Sequence, residues 1–188
     1  MYLGMKSKLI SFTFLACFCI GALGASEGGD IYTISSNGNK VIYAGKVEGA
    51  WGRLFFLPEG ARAFPLYSTA SPNSLMFEES TQQDLSRDKN YLMLNMVEHA
   101  TVSSELGKEV SVERYFCSFV DMRSGCVVKE STGEFCGGTW GSMDGEWVAG
   151  ESSILIDQRQ DPSFSRKDHE YYFRTFADHN NFKRCLPL

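Results

Sequence analysis

Histidine is scarce in this chain of 188 residues: only His99, His169 and His179 occur. Each stands beside an acid or in a polar stretch. Neighbours in a strand point to opposite faces, so Glu98-His99, Asp168-His169 and Asp178-His179 do not make dyads by adjacency. They read as solvated surface groups. The nucleophile elbow G-x-S-x-G is absent; Gly141-Ser142-Met143-Asp144-Gly145 carries its serine one place too early. Gly137-Gly138 lacks the lysine and helix of a phosphate-binding loop. Neither C-x2-C nor a nearby H-x3-H offers zinc its spacing, and Asp157 to Asp161 lacks the oxygen spacing of a calcium loop. These absences leave no catalytic residue, no metal and no cofactor to name. They do not exclude a carboxyl pair assembled from distant strands, as in glycoside hydrolysis.

Basic runs are missing too. Lys6 and Lys8 open the chain, and an apolar run from Leu9 to Leu23 follows. With small residues at Ala22-Leu23-Gly24, this reads as a secretory leader over residues 1–24, cleaved after Gly24. The run is short for a comfortable membrane span, which needs about 20 apolar residues. Residues 25–188 then form one domain. Losing Lys6 and Lys8 leaves 16 basic against 23 acidic residues, a net charge of −7. That argues against nucleic acid and anionic membrane as partners, and would suit a basic one. There is no Asn-x-Ser/Thr sequon, which fits a bacterial exported protein better than a eukaryotic secreted one.

Cys17 and Cys19 leave with the leader. Cys117, Cys126, Cys136 and Cys185 remain, an even number in an exported chain, so two disulfides are expected. Four cysteines allow three pairings. We favour Cys117–Cys126 with Cys136–Cys185, which would staple the turn around Arg123 and Ser124.

What is present is strand signal. Asn37-Gly38 marks a hairpin over residues 31–46, with Ile34 opposite Val41 and Tyr32 opposite Tyr43. Arg53 to Leu57 is a short buried strand, and Pro65 demotes the next one to an edge. Ser71-Pro72 resembles the start of a short helix through Glu79, though Leu75 to Phe77 fits a strand equally well. Lys89 to Glu98 is apolar on both sides, which means a central strand unless its Leu and Met make it a helix. In Glu109 to Asp121 the apolar phase slips between Val112 and Tyr115, suggesting a bulge near Glu113 and Arg114. Asp121 to Gly125 is a tight turn, Cys126 to Lys129 returns, and Glu146 to Val148, Ser153 to Asp157 and Tyr171 to Ala177 complete the set.

About ten short strands with frequent turns imply an all-β fold, an antiparallel sandwich or barrel-like domain stapled by disulfides, with one short helix at most. The function expected of it is binding without catalysis: a periplasmic or secreted protein of the inhibitor or immunity type. It would occlude a partner protein, such as a basic enzyme, through the rigid tip at Met122, Arg123 and Ser124, with Trp140 contributing. The alternatives are a small-ligand or glycan-binding domain using Trp51 and Trp140, and a small secreted hydrolase.

Overall fold

The computed structural model describes residues 31–67, 75–103, 107–157 and 185. The expected leader, the helix start at Ser71-Pro72 and the strand expected at 171–177 lie outside them; in the described part of that expected helix, Leu75–Phe77 is a strand. The strands are β1 (Ile31–Ile34), β2 (Lys40–Val47), β3 (Ala50–Leu57), β4 (Phe64–Pro65), β5 (Leu75–Phe77), β6 (Tyr91–Ser103), β7 (Glu109–Asp121), β8 (Cys126–Thr132), β9 (Thr139–Trp140), β10 (Glu146–Ala149) and β11 (Ser152–Leu155). The fold is all-β, as expected. An antiparallel sheet, ordered β1-β2-β3-β5-β6-β7-β8 with β4 beside β3, curls into a half-barrel; β11-β10-β9 form a second, small sheet.

Where β6, β7 and β8 meet, the curled sheet is buried on both faces, and this governs how those strands read. Leu92, Leu94, Met96, Phe116 and Val120 join Tyr43, Trp51, Phe56 and Phe77 in a core on the concave side. Tyr91, Met93, Cys117, Phe119 and Val128 point the other way, against Trp147, Ile156 and Cys185. β6 is therefore a central strand and not a helix. In β7 the apparent slip of phase is no bulge: β6 and β7 pair without interruption from Tyr91 opposite Asp121 to Ser103 opposite Glu109. The apolar residues change parity because the strand enters a two-sided core at Phe116. The irregularity lies elsewhere, between Phe119 and Val120, where the β8 partners jump from Lys129 to Val127. Past Glu98 and Tyr115, β6 and β7 continue as a two-stranded ribbon with no other described strand beside it. His99 and Glu113 sit 3.5 Å apart across it.

The first hairpin is one register off expectation. Thr33 faces Val41 and Ile31 faces Tyr43, because the connection takes five residues, Ser35 to Asn39. A one-residue shift exchanges the faces of a strand. Tyr32 and Ile34 are accordingly outside, 55% and 40% exposed. A tighter turn joins β2 to β3, where Glu48 and Gly49 both have positive φ, 50° and 92°. That conformation matches the twist of a two-residue hairpin.

Asn39 is what the longer turn accommodates. Its side chain is buried, and Nδ2 donates to the carbonyls of Met122 (2.9 Å) and Arg123 (3.2 Å). Its Oδ1 accepts from the Glu59 amide at 2.8 Å. One side chain thus ties three turns into one end of the half-barrel. Asn39→Ala leaves three backbone groups without their partner and should cost about 2–3 kcal/mol in urea unfolding, with the m-value unchanged.

Both disulfides form, but the pairing differs from expectation: Cys117–Cys136 and Cys126–Cys185, with Cα separations of 5.5 and 5.6 Å. The turn after β7 places Asp121 opposite Cys126, and Cys117 opposite Ser131. Cys117 and Cys126 are then about four residues apart along the hairpin, roughly 14 Å, beyond disulfide reach. Two disulfides mark an oxidising, extracytoplasmic environment. No helix among the described residues is long and apolar enough to cross a membrane.

Candidate functional site

The end of the sheet closed by Asn39 also gathers the residues singled out in the sequence. The β7–β8 turn runs from Met122 to Gly125. Its Gly125, at φ +72°, leaves no room for a side chain: a Cβ there would stand 2.5 Å from the Phe56 ring. Asp121 organises the turn, accepting from the Arg123 amide (3.0 Å), the Arg123 Nε (2.8 Å) and the Ser124 hydroxyl (3.0 Å). These bonds and the close fit of Gly125 brace the turn against the sheet.

Its side chains do not project as expected. Met122 is fully buried in the concave core and offers no surface to a partner. Arg123 folds back. Its Nη2 donates to the Tyr91 hydroxyl at 2.8 Å and lies 3.9 Å from Asp157 Oδ2, with the guanidinium 5.1 Å over the Tyr91 ring. The hydrogen bond and charge of Asp121 outweigh burial and raise the arginine above its usual range. Burial and the charge of Asp157 push Tyr91 up to about 12. Ser124 is exposed at the tip, its hydroxyl held by Asp121.

Tyr91 connects Arg123 to Trp140, stacking on the indole at 6.3 Å. Two residues chosen separately from the sequence thus lie on either side of one tyrosine. Trp140 packs edge-on to Trp147 (5.1 Å) and Phe119 (5.8 Å), and its Nε1 donates to the Asp84 carbonyl at 2.9 Å. Only part of its ring reaches the surface. Trp51 is 2% exposed in the concave core and presents no face to a glycan.

Sequence reading missed the carboxylates that rim this end. The turn of residues 86–90 carries Asp88 and Asn90, and the turn of residues 141–145 carries Asp144. Asn90 Nδ2 donates to Asp88 Oδ2 and lies 3.4 Å from Asp144 Oδ2. Asp88 and Asp144 also hydrogen-bond each other. Burial and the hydrogen bond and charge of Asp88 raise Asp144. Asp88 is lowered, because hydrogen bonds from Asp144, Ser86 and the Asn90 amide overcome its burial. Contact between the two carboxyls thus moves them in opposite directions. The available signal was weak: two Asp in separate turns, 56 positions apart by their numbering. Lys89, between Asp88 and Asn90, adopts φ +60°, uncommon for a residue with a side chain.

Among the described residues no three His, Cys, Asp or Glu groups converge as a metal site. A groove of about 160 Å³ between Glu78, Asn95, Tyr115, Gly133 and Cys136 lies away from this end. It is smaller than the roughly 300 Å³ from which ligand pockets begin. Comparison with protein families, with curated proteins and with solved structures finds no match for this chain.

Proposed function

We propose that this protein is an exported, non-enzymatic binding domain that takes a basic surface of a partner protein, such as an enzyme it occludes, onto the end rimmed by Asp88 and Asp144. One observation supports the reading above the rest: two carboxyls from separate turns are held in contact at the surface around Asn90, and burial together with the charge of Asp88 raises Asp144. Such an arrangement works against the free fold. It becomes favourable when a lysine or arginine arrives between the two and favours the charged form of each. Arg123 does not make the contact in this reading. Committed to Asp121, Tyr91 and Asp157, it holds the rim in place, while Ser124 and the outer edge of Trp140 border the contact.

The test is retention of proteins from host extracytoplasmic extract on the oxidised domain and on Asp88→Asn/Asp144→Asn. The wild type should hold one stoichiometric protein of basic isoelectric point, released by salt. The double variant should bind it at least tenfold more weakly, with its thermal midpoint within about 2 °C of wild type. Equal affinity of the two forms would reject the assignment of the surface.

A further inference from the structure

Glu130 is the chain's misplaced acid. It lies on β8 directly opposite Ser118 of β7, which in turn faces Leu94 of β6. All three positions belong to the concave side. The residue as a whole is half-buried, but Oε2 is inaccessible and has no hydrogen-bond partner. Oε1 accepts from the Ser118 hydroxyl at 3.2 Å, and Ser118 itself accepts from the Tyr67 hydroxyl. Among the described residues the ionisable group facing it is Tyr67, which burial and the charge of Glu130 raise well above its usual range. From β7, Phe116 and Val120 flank Ser118, and β6 offers Leu94; none is charged. Lys129, the next residue in β8, points to the other face, with Nζ 5.3 Å over the Phe135 ring. The surroundings therefore suit a neutral carboxyl and oppose a carboxylate.

We propose that Glu130, with Ser118 and Tyr67, is a proton-operated switch in the concave core, closed while the carboxyl is neutral and opened locally around the β7–β8 pair when it ionises. Burial, offset only by the Ser118 hydroxyl, pushes Glu130 up to about 8, from an ordinary 4.5. The sign follows from linkage. Between those values the unfolded chain has released the proton and the folded one still holds it. The folded state thus has full advantage below the ordinary value and loses it as pH rises through about 8. A switch so placed keeps the sheet closed in acidic surroundings and loosens it in mildly alkaline ones. The wall it loosens is the one that carries the Cys117–Cys136 bond at β7.

The experiment follows the wild-type Glu130 carboxyl by carbon-13 NMR through a pH titration, alongside thermal unfolding of wild type and Glu130→Gln at pH 6 and pH 9. The expected midpoint lies above about 7, and the wild type should lose roughly 5 °C or more between the two pH values beyond any loss in the glutamine variant. A midpoint in the ordinary carboxylate range overturns the proposal, as do parallel losses in both proteins. The titration needs only the wild type, so a Glu130→Gln variant that fails to fold leaves the test intact. Amide exchange then locates the opening: faster exchange confined to β7 and β8 at pH 9, after correction for intrinsic rates, is expected, and uniform acceleration over all strands rejects a local switch.

Discussion

Arg123→Ala should lower the thermal midpoint by roughly 4–12 °C. The arginine faces two carboxylates whose side chains are almost inaccessible, Asp121 at 6% and Asp157 at 5% exposure. Removing one partner of a buried ion pair leaves the other charge without compensation, at a cost of about 3–5 kcal/mol. Two features reduce that figure here. The arginine side chain is itself 40% exposed, and Asp121 keeps its hydrogen bonds to the Arg123 amide and the Ser124 hydroxyl. About 2–3 kcal/mol remains, which for a domain of this size is the stated shift. Arg123→Lys should recover less than half of it, because one ammonium cannot reach Asp121 and Tyr91 as the planar fork does. Differential scanning calorimetry at neutral pH decides the matter; a midpoint unchanged in Arg123→Ala would show that the cluster contributes nothing to stability. Arg123→Glu is therefore unsuitable as a probe of binding, since it sets a third carboxylate beside Asp121 and Asp157.

Removing the Cys126–Cys185 bond should have a still larger effect. The bond closes a separation of 59 residues, against 19 for Cys117–Cys136. Loop-closure entropy assigns about 4 kcal/mol to the first and about 3 kcal/mol to the second. Cys117, Cys126 and Cys185 all lie in the convex core, with Cys136 packed against it, so alanine loses packing in either pair and the difference rests on chain entropy. Cys126→Ala/Cys185→Ala should fall furthest in guanidinium unfolding, with Cys117→Ala/Cys136→Ala intermediate. The reverse order would mean that local packing around Cys136, and not chain entropy, sets the contribution of these bonds.

The all-β architecture was legible because its signals are local. Alternating apolar residues, Asn37-Gly38 and the glycine-rich stretch near Trp140 each report on a few neighbouring positions. Register was not. Whether Val41 faces Ile34 or Thr33 depends on Asn39 reaching Met122 and Arg123, more than 80 positions away. The doubly buried β7 misled for a related reason: a strand covered on both sides has no single apolar phase, and its change of phase imitates a bulge. At the candidate site, Arg123 and Trp140 stood out by residue type. Tyr91, Asp88, Asp144 and Asp157 did not, since nothing in a turn's composition says which other turn it meets. Glu130 was hidden in plain alternation. At its position in β8 an acid looks like an ordinary outward residue until the sheet is seen to curl around it.

The interlaced order of the disulfides has a consequence for how the chain acquires its fold. The first two of the four paired cysteines, Cys117 and Cys126, are close in sequence and bond to each other in neither native pair. Collision rates favour short separations, so oxidation of the unfolded chain makes that bond early. It must then be broken by thiol–disulfide exchange before Cys126 can await Cys185 near the end of the chain. Maturation of this domain should therefore depend on a disulfide-shuffling catalyst and not on an oxidant alone.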